Sequence, residues 1–171
     1  MIQKKICMLG ATGVGKTSLV RQFVQTIFSE KYHSTIGVKI DKKILMVEDQ
    51  EVSLMLWDVQ GEDDAYTIRP SFLRGASGYL LVIDLTRQET LATALSIQEM
   101  VKREIGDMPF FVLLNKNDLA DEIRIKETGI RSITEIEERI IRTSAKTGEN
   151  VEKAFHLLAN EMISDQTRLR V

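Results

Sequence analysis

Short apolar runs alternate along the chain with longer stretches whose apolar residues recur every three or four positions. That is the pattern of strands alternating with helices. Residues 6–9 (Ile-Cys-Met-Leu) form an apolar run that ends in glycine and reads as a buried strand. From Lys16 onward, Leu19, Val20, Phe23, Val24 and Ile27 repeat at helical spacing. Residues 38–47 and 52–59 read as two strands, and the polar Glu48-Asp49-Gln50 between them predicts an antiparallel hairpin. In its second strand Val52, Leu54 and Leu56 face one way, Met55 and Trp57 the other. Residues 80–84 and 110–114 are continuous apolar runs, as central strands covered on both faces require. Leu91, Leu95, Val101 and Ile105 predict a helix that stops at Gly106. Asn150 is placed to cap a last helix whose inner face carries Val151, Ala154, Phe155, Leu158 and Met162. Residues 120–138 allow a helix, which Gly129 and several β-branched residues weaken. The pattern predicts an α/β fold: a mostly parallel six-stranded sheet with one antiparallel edge strand and helices on both faces.

At 171 residues the chain suits one domain, spanning 1–171. With 43% apolar and 28% charged residues it has an ordinary globular balance. A net charge of −2 gives no electrostatic reason to expect a nucleic-acid partner. The single cysteine, Cys7, lies inside an apolar run and reads as a small buried hydrophobe. It rules out an internal disulfide and points to a reducing, cytoplasmic setting. The seven methionines read as core filler. No apolar run approaches the ~20 residues of a membrane span. The sequence ends Arg168-Leu169-Arg170-Val171 without a nearby cysteine. We therefore expect no lipid anchor on this sequence, and membrane recruitment only through a partner or a further C-terminal tail.

The strongest chemical signal is Gly10-Ala11-Thr12-Gly13-Val14-Gly15-Lys16-Thr17, between a strand and a helix. It fits G-x-x-x-x-G-K-[ST] in the context that motif requires, and assigns the fold to the P-loop NTPases. Glycines let the backbone N–H groups converge on phosphate oxygens, and the helix N-terminus adds a dipole that favours an anion. Lys16 is expected on the β- and γ-phosphates, and the Thr17 hydroxyl on Mg²⁺. This motif does not separate ATP from GTP.

Asn115-Lys116-Asn117-Asp118 follows the run 110–114, so it sits at the carboxyl end of a strand, where open α/β sheets bind ligands. A carboxylate at Asp118 can accept paired hydrogen bonds from guanine N1–H and its exocyclic amine. Adenine would leave it unpaired, at about 1–3 kcal/mol. A third element, Thr143-Ser144-Ala145-Lys146, offers a backbone amide near Ala145 for the guanine O6 and a Lys146 stem to lie on the ring.

With these motifs in this order, the chain resembles the Ras-superfamily small GTPases, and most of all their Rab branch, over nearly its whole length. The stretch from Thr143 to Val151 (TSAKTGENV) and the Arg74-Gly75-Ala76 segment are similar to Rab sequences. The resemblance implies GTP/GDP as substrate and product and Mg²⁺ as cofactor. It places Gly10, Thr12, Gly13, Val14, Gly15, Lys16, Thr17 and Ser18 around the phosphates. Phe28 falls where the family stacks an aromatic on the base. Thr35, within Tyr32-His33-Ser34-Thr35-Ile36-Gly37, would sense Mg²⁺ and the γ-phosphate. Trp57-Asp58-Val59-Gln60-Gly61 matches W-D-x-x-G, which puts Asp58 on the metal and the Gly61 amide on the γ-phosphate. Lys116, Asp118, Ser144, Ala145 and Lys146 complete the base site with Asn115. Effector, exchange and activating proteins are expected along Phe28 to Gly37 and Gly61 to Arg74.

One position departs from the family in its chemistry. The family usually has Gln after the W-D-x-x-G glycine; here Glu62 stands there, followed by Asp63 and Asp64. An ionised carboxylate beside the γ-phosphate repels it and lacks the amide donor of Gln. With Lys16, Thr35, Gly61 and Glu62 as the reacting set, we expect Mg²⁺-dependent GTP hydrolysis that is slow. The alternative is a GTP-bound scaffold that hardly hydrolyses. Arg69 and Arg74 read either as surface residues or as an arginine finger in cis.

Overall fold

The computed structural model describes residues 1–25, 31–35, 37–60 and 68–168, of which 31–35 and 165–168 are described by their backbone alone. In chain order the elements are β1 (Ile2–Leu9), α1 (Lys16–Val24), β2 (Lys31–Thr35), β3 (Val38–Val47), β4 (Gln50–Val59), β5 (Gly78–Asp84), α2 (Glu89–Glu104), β6 (Phe110–Asn115), α3 (Glu127–Ile130), β7 (Ile140–Arg142) and α4 (Val151–Arg168).

The strands lie in the order β2-β3-β4-β1-β5-β6-β7. Five of them, from β4 to β7, run parallel, and β3 pairs antiparallel with β4 from Val38↔Val59 to Val47↔Gln50. This is the expected six-stranded mixed sheet. The short β2 adds a further antiparallel ladder outside β3, with an irregular register between Tyr32 and Thr35. Residues 31–35 carry too little apolar character to announce a strand; their pairing depends on the free edge that β3 offers.

Every side chain of β5 is buried, and β6 is buried from Phe111 to Asn115, as strands covered on both faces must be. On one face Val52, Leu54 and Leu56 meet Leu19, Val20 and Phe23 of α1 and Phe155, Leu158 and Met162 of α4. On the other, Cys7, Leu81, Ile83, Val112 and Leu114 meet Leu91, Ala94, Ile97 and Met100 of α2, with the half-buried Trp57 packed alongside. The two sides of β4 divide as the alternation predicts. Of the methionines, Met8, Met100 and Met162 fill core, whereas Met1 and Met46 are exposed.

Two local expectations change. The Asn150 carbonyl accepts from Ala154 N–H, so the residue does stand at the start of α4. Its side chain, however, donates backwards to the Arg142 carbonyl at 2.8 Å, and its φ of 55° is left-handed rather than the extended conformation of an N-cap. Between 120 and 138 the helical content is a single α-turn at Glu127–Ile130 with 3₁₀ turns at Ala120–Glu122 and Glu137–Arg139. Among the described residues no helix is long and apolar enough to cross a membrane.

The α1–α4 contact centres on Phe23 and Phe155, whose rings stack at 4.0 Å and 4°. Both rings are almost wholly buried. We predict that Phe155→Ala lowers stability by about 3–5 kcal/mol in urea titrations. A loss below about 1 kcal/mol would show that the stacked pair carries little of the packing between α1 and α4.

Candidate functional site

The site lies at the carboxyl ends of β1, β4, β5 and β6, where the loops leave the sheet on one side. A cavity of about 660 Å³ opens there between the 10–17 loop and the β3–β4 pair. Thr12, Gly13, Lys16, Thr17, Asp58 and Gln60 are among the residues that line it.

Lys16 is buried, and its ammonium donates to the carbonyls of Gly10 at 2.8 Å and Ala11 at 2.9 Å. The side chain thus closes its own loop from within and holds a cation at its centre. Thr17 Oγ1 donates to Asp58 Oδ2 at 2.5 Å. Burial pushes the Asp58 carboxyl above its ordinary range, against the opposing pull of the Thr17 hydroxyl and of the Lys16 and Lys39 charges. A hydroxyl and a carboxylate side by side are hard oxygen donors. They suit Mg²⁺, which takes few protein ligands and keeps waters and substrate phosphates for the rest. Gln60 N–H donates to the Gly37 carbonyl at 2.8 Å and so links the start of β3 to the end of β4.

Asn115 ends β6, almost fully buried, and joins three segments. Its Nδ2 donates to the Val14 carbonyl at 2.9 Å, and its Oδ1 accepts from Thr143 Oγ1 and from the Ala145 amide, each at 3.2 Å. The amide at Ala145, expected to meet a base oxygen, is therefore engaged with Asn115 here. Asp118 is exposed, with one carboxylate oxygen held by Ser144 Oγ at 2.7 Å. Lys146, two residues beyond Ser144 in the 143–146 segment, is exposed. The structure thus brings the 10–17, 115–118 and 143–146 segments together as the sequence predicted. Val14 and Ser144 are buried members of this assembly, whereas Thr12, Gly13, Thr17 and Ser18 face outward.

Phe28, Gly61, Glu62 and the side chain of Thr35 lie outside the described residues, as do the side chains of His33 and its neighbours. Arg69 is exposed, with its guanidinium 5.9 Å from the Phe72 ring centre, and Arg74 is exposed with its carbonyl accepting from Lys5 Nζ. Neither arginine lines the 660 Å³ cavity.

Sequence reasoning missed Asp84, the residue that ends β5 and pairs in register with Asn115. Its side chain is fully buried. Oδ1 accepts from the Thr86 amide at 2.9 Å and the Thr86 hydroxyl at 2.7 Å; Oδ2 meets Lys116 Nζ at 2.6 Å and Arg87 Nε at 3.0 Å. Lys116 is thereby held from below, on a backbone with φ of 66°. The signal was present: an acid closing an otherwise apolar strand, with two residues of the opposite charge in loops nearby.

The arrangement is that of an α/β protein whose glycine-rich 10–17 loop and the 115–118 and 143–146 loops meet on one sheet edge. A model of the Ras family matches residues 5–164, and the chain belongs to that family. Its members are small GTPases: P-loop proteins that bind GTP and GDP with Mg²⁺, hydrolyse GTP, and switch between states that regulators and effectors recognise.

Burial pushes the Asp84 carboxyl up, but the bonds from Lys116, Thr86 and Arg87 outweigh it and hold the group below its ordinary value. A carboxyl more acidic in the folded than in the unfolded chain adds stability above the unfolded value of ~3.9, and loses it as the pH falls through the folded value. We predict that Asp84→Ala costs about 3 kcal/mol at pH 7, and that the deficit shrinks below about pH 4. Urea midpoints of both proteins from pH 7 to pH 3 test this; a deficit constant across that range contradicts it.

Proposed function

We propose that this chain is a guanine-specific switch that hydrolyses GTP slowly and belongs near the Rab branch of its family. The observation that carries the base specificity is the Asn115 bridge, which sets Asp118 and the phosphate loop at one sheet edge. Asp118, steadied by Ser144, accepts from guanine N1–H and the exocyclic amine, while the Lys146 stem and Phe28 flank the ring. The loop amides from Gly10 to Gly15 and the Lys16 ammonium hold the phosphates, with Ser18 in the first turn of α1 behind them. Thr17 and Asp58, joined by Thr35, would hold Mg²⁺, which would supply positive charge against the phosphates. The sequence TSAKTGENV supports the Rab-like placement.

Catalysis in this reading is positioning and charge stabilisation. Thr35 and Gly61 report the γ-phosphate to the segments Phe28 to Gly37 and Gly61 to Arg74, where effectors and regulators bind. Loss of that phosphate releases both. Glu62, standing where the family has Gln, would bring a like charge toward the same anion and no N–H₂ to donate, so the attacking water would be poorly placed until a partner completes the site. The same residue favours a second reading, a constitutively GTP-loaded scaffold.

Base recognition is tested by titrating GDP and ATP in competition with a fluorescent guanine nucleotide. Asp118→Asn replaces an acceptor by a donor. We predict that it weakens GDP by about ten- to a hundredfold and favours xanthosine diphosphate, whose oxygen replaces the guanine amine. Equal binding of GDP and ATP by the wild type would sink the assignment.

The hydrolysis claim predicts single-turnover rates at or below roughly 10⁻⁴ s⁻¹ for the wild type and a faster Glu62→Gln variant. A wild type faster than the variant overturns this account of Glu62. Protein that retains GTP through purification, with no phosphate released over hours, selects the scaffold reading.

A further inference from the structure

Arg87 lies outside every motif read from the sequence, in the turn between β5 and α2. That turn is built to aim it. The buried Thr90 hydroxyl accepts from the Asp84 amide at 3.1 Å and donates to the Arg87 carbonyl at 2.8 Å, which fixes the backbone on both sides. The guanidinium is then held through Nε by Asp84 Oδ2 at 3.0 Å. Its far end reaches the phosphate loop, where Nη2 donates to the Thr12 carbonyl at 2.6 Å. A planar fork suits this double engagement, because gripping the carboxylate at one end orients the donor at the other.

The grip falls on a consequential peptide. The Thr12–Gly13 bond is trans, as are all the described peptide bonds. In a trans peptide the C=O and the following N–H point in opposite directions, so an arginine that fixes the Thr12 carbonyl also fixes the Gly13 N–H on the side away from itself. Gly13, with φ of 74°, has no side chain to resist rotation of that peptide, and it lines the cavity. An unanchored plane there could turn its oxygen, rather than its N–H, toward an anion.

We infer that Arg87 is a positioning residue of the nucleotide site, locking the Thr12–Gly13 peptide with its N–H directed at the nucleotide's β-phosphate. The inference rests on reading the 660 Å³ cavity as the phosphate site. It also makes the Asp84 carboxylate a shared post: the oxygen that holds Arg87 against the phosphate loop is the one that holds Lys116 beside the base.

The experiment uses the full chain loaded with GDP and Mg²⁺, comparing wild type with Arg87→Ala, Arg87→Gln and Arg87→Lys. The readouts are the GDP dissociation rate, by chase from a fluorescent analogue, and the ³¹P resonances of bound GDP. We expect Arg87→Ala and Arg87→Gln to release GDP about tenfold faster, the effect of one misdirected donor to a charged group. The β-phosphate resonance should shift while the α-phosphate resonance stays. Arg87→Lys, which can reach Asp84 or Thr12 but lacks the fork, should recover the rate only in part. Arg87 is about one-third exposed, and two of the variants keep a polar side chain, so a fold lost in Arg87→Ala leaves the others to decide.

Unchanged dissociation overturns the inference. So does faster release with neither resonance moved, which would place the effect on the base side through Asp84 and Lys116. A wild type that binds ATP and GDP alike, yet shows the β-phosphate shift on substitution, removes the guanine assignment and leaves the role of Arg87 standing. A wild type that binds no nucleotide removes both.

Discussion

One buried carboxamide holds the working end of this molecule together. Asn115 has few ways to satisfy its polar atoms at the end of a covered strand, and it uses the phosphate loop and the 143–146 loop to do so. A buried polar group left without partners costs about 1–3 kcal/mol, so the loops are drawn in by the need of the strand end as much as by any ligand. The contact also restricts what the phosphate loop may contain. A Cβ at position 15 would collide with Asn115 Nδ2, so the glycine there answers to the base-side loop as well as to the anion. The two halves of the site are thus tied to each other by protein contacts, which favours dipoles and amides that act without reorganising.

Asp84 does for charge what its register partner Asn115 does for neutral polar groups. A fully buried carboxylate is tolerable only if paired, and it is met by two cations and a hydroxyl from three positions. Both residues end neighbouring parallel strands in the interior of the sheet. The chemistry therefore rests on the elements with the fullest burial, while the phosphate loop and the start of α1 supply groups that face outward.

Much of this was legible in the chain. Gly10 to Thr17 and Asn115 to Asp118 are contiguous motifs whose spacing follows from ligand geometry, and the hairpin, the central strands and the last helix follow from periodicity. The contents of the 120–138 stretch were not legible, because single turns carry no periodic signature. Nor was β2, whose pairing comes from a neighbour's edge rather than from its own composition. The roles of Asp84 and Arg87 were hidden for a further reason. Arg87 meets Thr12 across 75 residues of sequence, and long-range side-chain bonds leave no local pattern. The side chain of Asn150 likewise turned to a carbonyl eight residues back, a choice that only the assembled loop presents.

Cys7 sits within β1, fully buried, with Sγ 3.6 Å from the Phe72 carbonyl and its pKa pushed up by burial to about 12. As the chain's sole thiol it is silent toward alkylating reagents while the sheet is closed. Dyes or spin probes can be attached at a cysteine introduced on the surface without first removing the native one. The rate at which Cys7 itself becomes modified is a clock for the opening of the sheet, built into a buried position of β1.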